Sequence, residues 1–221
     1  IVDLPLMTHP LALGIANLAA IALVLMWGLG KVGATFYQVY PLTPVAQPLI
    51  LPICLTVIGV GSNLLVRDGG LRGIVVRLGD GFSGVAVDGE TVTAGAGASN
   101  LKIANAARVA GLAGFEFLSG IPGSLGGSLR MNAGAFGAEM ADIVTAVDAL
   151  GRDGRRRLGP EEMGFSYRHS KADENLIFVS AELRGTPGNE AAIARRMAEI
   201  QAQRGQSQPL QTPTGGSTFI N

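Results

Sequence analysis

Apolar and polar positions alternate in short, regular segments from Leu55 onward, and before it they do not. LTVIG (55–59) is an apolar run of the length expected for a short buried strand, and GIVVRL (73–78) is a second. GVAVDGETVTAGAG (84–97) alternates around Asp88-Gly89, the kind of two-residue turn that closes a hairpin. TAVDALGRDGRRRL (145–158) repeats the scheme with its turn at Asp153-Gly154, and FVSAELRG (178–185) alternates like an edge or half-buried strand. Helical spacing occupies two other places. Ser99 is placed to cap a helix running through Ala110, in which Leu101, Ala104, Ala107 and Arg108 follow the helical period and Gly111 ends it. NEAAIARRMAEIQAQR (189–204) carries Ile193, Met197 and Ile200 on one face of an amphipathic helix, and a short helical turn is expected after Pro160. Hairpins mixed with isolated helices predict an α+β fold, not a regular strand-helix-strand winding.

The first part of the chain obeys a different rule. Asp3, Lys31 and Arg67 are the only charged residues among the first 67. Leu11–Gly30 (LALGIANLAAIALVLMWGLG) is uncharged and long enough to cross a bilayer, so a membrane segment, a wholly buried helix and a segment without native fold all stay open. Lys31–Pro52, with Phe36, Tyr37, Tyr40 and four prolines, reads as irregular or short-strand sequence. Three regions are expected: an atypical apolar subdomain over 1–54, a second subdomain over 55–204, and a turn-rich stretch over 205–221 opening a further domain.

Composition narrows the chemistry. With 221 residues and 48% apolar content the chain can bury a substantial core. Its formal net charge of zero and pI near 6.9 provide no basic field for nucleic acid. A single cysteine, Cys54, in an apolar stretch reads as a small buried hydrophobe, and with His9 and His169 as the only histidines no metal site is expected. The 32 glycines are more informative, because they concentrate in short runs.

GVGSNLLVRDGG (59–70) follows the first predicted strand. Gly59, Val60, Gly61, Ser62, Asn63 and Leu64 can turn the backbone so that several N–H groups line one concavity, a diphosphate cradle or equally a plain tight loop. No third glycine follows at the spacing of a dinucleotide-binding Rossmann turn. SGIPGSLGGSLRMNAGAFG (119–137) holds six glycines in nineteen residues, a density that argues against helix and strand alike and for backbone pressed against an extended ligand. Ser124 and Asn132 add hydrogen-bonding groups there. GFSYRHS (164–170) offers Tyr167 and the guanidinium fork of Arg168, suited to a phosphate, a carboxylate or a developing enolate. TGGSTFIN (214–221) leaves Ser217 on a glycine turn, with no histidine-acid pair to make a hydrolase triad.

These four motifs, in this order and with similar separations, resemble those of the UDP-N-acetylenolpyruvoylglucosamine reductase family over about Thr56–Asn221. The resemblance implies an FAD-binding fold of the vanillyl-alcohol-oxidase type, two α+β subdomains holding FAD between them. It implies a cytoplasmic monomer in which NADPH reduces the flavin and the enolpyruvyl ether of a UDP-sugar is then reduced for peptidoglycan synthesis. By matching position, Gly59, Val60, Gly61, Ser62, Asn63, Leu64, Ile121, Pro122, Gly123, Ser124, Gly126, Gly127, Asn132, Ala133 and Gly134 would contact FAD. Arg168 would stabilise the enolate, Tyr167 would hold the sugar nucleotide and Ser217 would supply a proton. Three departures stand beside the match. Ile220 occupies a position usually lysine in the family, and WGLGKVGATF (27–36) only faintly echoes its aromatic-Arg-Val-Gly-Gly segment. The family's catalytic glutamate belongs to a C-terminal domain absent from these 221 residues, so turnover by these residues alone is expected to be impaired. A different flavin oxidase of the same fold and an inactive, membrane-attached flavin binder are the alternatives.

Overall fold

The structure, a computed structural model, describes residues 35–37, 55–71 and 73–207. Leu11–Gly30, Cys54 and the TGGSTFIN motif with Ser217 lie outside them. Thr35–Tyr37 (β1), Leu55–Ile58 (β2) and Ile74–Arg77 (β3) form a small sheet in the order β1-β3-β2, with β1 antiparallel and β2 parallel to β3. Its central strand buries Val75 and Val76, whereas β2, at the sheet's margin, is half-exposed and leaves Leu55 39% exposed. The apolar run of β2 had predicted a buried strand; with a hydrogen-bonded neighbour on only one side among the described residues, it is not one.

The chain then enters a second, antiparallel sheet. Val85–Asp88 (β4) and Thr91–Gly95 (β5) pair through a Gly89-Glu90 loop, one residue beyond the expected Asp88-Gly89 turn. Cross-strand packing decides this register: it sets Val87 opposite Val92 and Val85 opposite Ala94, whereas the expected turn would set Val87 against Glu90. Gly89, at φ 56, takes the first loop position, where the backbone needs a positive φ.

Asn100–Val109 (α1) follows, capped by Ser99 Oγ, which accepts from Lys102 N at 3.2 Å. Its buried face is Asn100, Ile103, Ala104 and Ala107; Leu101 is exposed and Arg108 reaches Glu190 at 2.6 Å. The expected face, led by Leu101, is therefore turned one residue back, because Ile103 completes an i, i+3, i+4, i+7 stripe. Leu112–Ala113 (β6) leads to a 3-10 turn at Glu116–Gly120 and then to Leu125–Arg130 (α2). Gly134–Ala135 (β7) and Ala138–Glu139 (β8) form a small hairpin before Met140–Ile143 (α3). The stretch 119–137 thus holds a helix and the first strand of a hairpin, contrary to the expectation that its glycine density argues against helix and strand alike. Met140, Leu125 and Leu129 are fully buried and supply the apolar anchors that glycine lacks.

Val144–Gly151 (β9) and Gly154–Leu158 (β10) make the second long hairpin, with Arg152-Asp153 in the loop and Gly154 at φ 108 beginning the return. The expected Asp153-Gly154 turn is again displaced by one residue. The observed register sets buried Leu158 opposite buried Val147 and Arg157 opposite Asp148, whose charged groups lie 3.6 Å apart. Pro160–Met163 (α4) is the short turn expected after Pro160. Ile177–Arg184 (β11) lies between β9 and β5, so it is a central strand and not an edge, and the sheet reads β10-β9-β11-β5-β4. Thr186–Pro187 (β12) pairs with β6, and Glu190–Ser207 (α5) buries Ile193, Met197 and Ile200 on the face its spacing predicts. The core is one continuous cluster of β5, β9 and β11 with α1, α2 and the first half of α5. The α+β class is as the sequence predicts.

Candidate functional site

The glycine-rich segment is hung from the end of β5. Gly126 N donates to Ala96 O at 2.8 Å and Leu125 N to Ala98 O at 2.9 Å, so the first turn of α2 is fixed by backbone bonds to the strand's continuation. A Cβ on Gly126 would come within 3.2 Å of Ala96 Cβ, which explains that glycine by close packing. Asn100, fully buried at the start of α1, holds the segment from the other side. Its Nδ2 donates to Ile121 O at 3.2 Å and to Ser128 Oγ at 2.8 Å, Ser128 Oγ returns a bond to its Oδ1 at 3.1 Å, and its N–H donates to Gly123 O at 3.2 Å. Asn100 was not among the residues expected at the site. A polar residue on the apolar stripe of α1 is the signal that marks it, since a buried amide persists only where its bonds are met.

The loop after β2 lies against this segment. Ser62 Oγ donates to Pro122 O at 3.2 Å, and a Cβ on Gly59 would fall 2.1 Å from Ser124 Oγ. A Cβ on Gly123, which sits at φ 131, would lie 3.1 Å from Ser62 Oγ. Two motifs sixty residues apart in sequence therefore meet. Their outer surface carries glycines of another kind. Gly61, at φ 79, and Gly127, within α2, would each accept a Cβ with no atom of the described residues inside 4 Å, apart from chain neighbours and the helix's own backbone. For Gly61 the backbone conformation is reason enough. Gly127 has no such reason, and glycine is the poorest helix former after proline, so its presence fits a flat or extended group lying against that face. Val60, Leu64, Leu65 and Val66, in and just after the loop that follows β2, are exposed. The residues present thus fit a long cofactor with a diphosphate and an apolar ring.

Asn132 closes α2 from the C′ position at φ 39. Ala133 N donates to Ser128 O at 2.9 Å and Asn132 N to Leu129 O at 3.4 Å, the double bond pattern of a Schellman cap. The residue is 1% exposed and its carboxamide is bonded at both ends: Nδ2 donates to Ser166 O at 3.1 Å and Oδ1 accepts from Ala141 N at 3.0 Å. Ser166 and His169 exchange backbone bonds at 2.9 and 3.1 Å, which leaves Tyr167 and Arg168 at the tip of a tight turn. Arg168, exposed and at φ 54, donates from Nη1 to Gly134 O at 3.0 Å and lies 5.6 Å from the Tyr167 ring centroid. Gly134 is glycine for packing, because a Cβ there would come within 2.8 Å of Glu139 Cβ.

Behind this turn, Arg130 clasps the loop that leads to β11. Its Nη1 donates to Ala172 O at 2.9 Å and Asp173 O at 3.2 Å, its Nη2 to Leu176 O at 2.8 Å, and its guanidinium stacks 4.3 Å from the Phe178 centroid. Burial lowers its pKa, with Glu174 and Asp173 acting the other way. The structure therefore brings together 59–64, 121–127, 132–134 and 167–168. Ser217 lies outside the described residues. Among the described residues no cluster of His, Cys, Asp or Glu could hold a metal ion, and no helix is long and apolar enough to cross a membrane.

Residues 51–158 match the FAD binding domain family, so the fold and its glycine loops define an FAD-binding protein. Curated relatives narrow the class. The chain is 58% identical over 175 residues to the UDP-N-acetylenolpyruvoylglucosamine reductase of Paramagnetospirillum magneticum, covering 78% of this chain and 57% of that protein. It is 53% identical to the reductase of Azorhizobium caulinodans, covering 79% and 56%. Among solved structures, the UDP-N-acetylenolpyruvylglucosamine reductase (MurB) of Thermus caldophilus superposes with a TM-score of 0.69 at 37% identity, covering 76% of this chain and 61% of that one. The chain belongs to the UDP-N-acetylenolpyruvoylglucosamine reductase family and carries its FAD-binding portion. It spans a little over half the length of the curated relatives it matches.

Proposed function

We propose that the protein carrying these residues is an NADPH-dependent flavin reductase that converts UDP-N-acetylglucosamine enolpyruvate to UDP-N-acetylmuramate in the cytoplasm, as a monomer. The observation that carries this reading is the Tyr167-Arg168 turn fastened beside the glycine-rich segment through Arg168 Nη1 and Gly134 O. A turn that presents a guanidinium next to a flavin surface suits a substrate whose reduction develops negative charge.

FAD, when bound, supplies the chemistry that accepts a hydride from NADPH and gives it to the enolpyruvyl double bond. The chain's own residues do the rest. Gly59–Leu64 and Ile121–Gly127 form the cradle, with Gly127 leaving space for the ring or its chain. Ala133 and Gly134 edge the cradle next to Arg168, and Asn132, buried behind them, faces the protein. Arg168, held by its backbone turn and by Gly134 O, stabilises the enolate that forms as hydride is added to the substrate, where a preorganised cation is most effective. Tyr167 presents its ring and hydroxyl to the sugar nucleotide from the same tip, and Ser217 donates the proton that completes reduction.

Purified protein tests the reading directly. It should be yellow and should consume NADPH at a rate that rises when the enolpyruvyl UDP-sugar is added. Yellow protein whose NADPH consumption ignores that substrate would instead support a flavin binder without this activity, and colourless protein unable to take up FAD would refute the assignment.

A further inference from the structure

We propose that Asn132 is a positioning residue, which docks the Tyr167-Arg168 turn onto the cap of α2 through its carboxamide instead of touching the flavin. This rests on the reading of Arg168 given above. The cap position is the first observation. C′ of a Schellman motif is a left-handed site where glycine is the least strained residue, and this segment is otherwise rich in glycine. Asn132 occupies it at φ 39, so its side chain has a use that repays a mild backbone cost.

The bonds show what that use is. Oδ1 accepts from the N–H of Ala141 at the start of α3, and Nδ2 donates to the carbonyl of Ser166, the first residue of the turn that carries Tyr167 and Arg168. Both ends of the amide are thereby committed within the protein, and the residue is 1% exposed, which leaves it no face toward a ligand. Two residues further on, Gly134 O receives Arg168 Nη1. One short segment therefore grips the turn twice, at its base through Asn132 and at its guanidinium through Gly134. Loss of the first grip frees the base of the turn and, with it, the direction in which Arg168 points.

The test uses flavin-loaded protein and two variants. Asn132→Gly keeps, and relaxes, the left-handed cap while deleting the carboxamide. Asn132→Asp keeps the acceptor for Ala141 N and loses the donor to Ser166 O. Amide hydrogen exchange at Ser166 and His169 should quicken about tenfold in both variants. Exchange at Ala141 should quicken only in Asn132→Gly, and FAD affinity should stay within about twofold of the parent. In turnover, Asn132→Gly should lower kcat by about tenfold or more. Made in an Arg168→Ala background it should lower kcat no further, because the two residues act through one element. Weakened FAD affinity with unchanged exchange at the turn would make Asn132 a flavin contact and overturn the proposal. Quickened exchange throughout 120–145 would make it a general structural residue, and overturn it equally. A parent protein that ignores the enolpyruvyl sugar would defeat the functional reading, while the exchange data would still decide whether Asn132 docks the turn.

Discussion

Gly127→Ala separates what the fold requires from what a ligand requires. The position lies inside α2, is exposed, has no positive φ to satisfy, and among the described residues would place its Cβ more than 4 Å from every atom outside its chain neighbours and the local helix backbone. In cofactor-free protein the added methyl should therefore act only through helix propensity and the unfolded chain, a gain of about 0.5–1 kcal/mol. For a chain of this size that raises the melting temperature by about 1–4 °C. In the presence of FAD the same methyl intrudes on the surface where the cofactor is proposed to lie. Overpacking of one methyl costs about 1–3 kcal/mol, which weakens the dissociation constant by about 5- to 150-fold. Two measurements on the same preparation suffice: thermal unfolding without flavin, and titration of FAD followed by its fluorescence. More stable cofactor-free protein with weaker FAD binding is the expected pair of results. Unchanged affinity would show that this face of α2 does not meet the flavin. A destabilised cofactor-free protein would show that the site is not open.

Gly95→Ala is the internal contrast: its Cβ would lie 2.0 Å from Phe82 O, a backbone atom, so the variant should lose at least about 1–3 kcal/mol in denaturant unfolding whether or not flavin is present. Asp173 is held below the ordinary carboxylate range mainly by the N–H of Asn175, then by that residue's side-chain amide. A depressed folded-state pKa gives stability that is present above the unfolded pKa and lost as pH falls through the folded one. Asp173→Asn should accordingly lower the urea midpoint at neutral pH, and the gap to the parent should close in the acid range; a gap independent of pH would contradict this. Arg168→Ala should reduce kcat by about 10²–10³ with little change in the unfolding midpoint, since the side chain is exposed. Ser217→Ala should leave flavin reduction by NADPH at the parental rate and slow reduction of the enolpyruvyl substrate; equal rates for both steps would remove Ser217 from the proton-donor role.

How much of this was legible in the sequence depended on whether the signal was local. The Ser99 cap, the α5 stripe and the existence of both long hairpins follow from periodicity and turn residues within a few positions, and the structure bears them out. Both turns slipped by one residue because the Asp-Gly signal competes with cross-strand pairing, and in each hairpin pairing won: Val87 found Val92, and Arg157 found Asp148. The 178–185 segment read as an edge or half-buried strand; it is half-buried, but its central place was not legible, because alternation reports one exposed face and not the number of hydrogen-bonded neighbours. Glycine density hid α2, whose formation rests on backbone bonds to Ala96 and Ala98 that no sequence window contains. At the site, motif order brought out the glycine loops and the Tyr167-Arg168 turn. It was silent on Asn100 and Arg130, which act through carbonyl groups of distant segments, and such partners are set by the fold alone.

The most direct test of the central claim is anaerobic reoxidation of the reduced protein. Flavin bleached with one equivalent of NADPH should regain its visible absorbance when UDP-N-acetylglucosamine enolpyruvate is mixed in, rapidly in the parent and far more slowly in Arg168→Ala. Flavin that stays bleached until oxygen is admitted, in the parent as in the variant, would contradict the account.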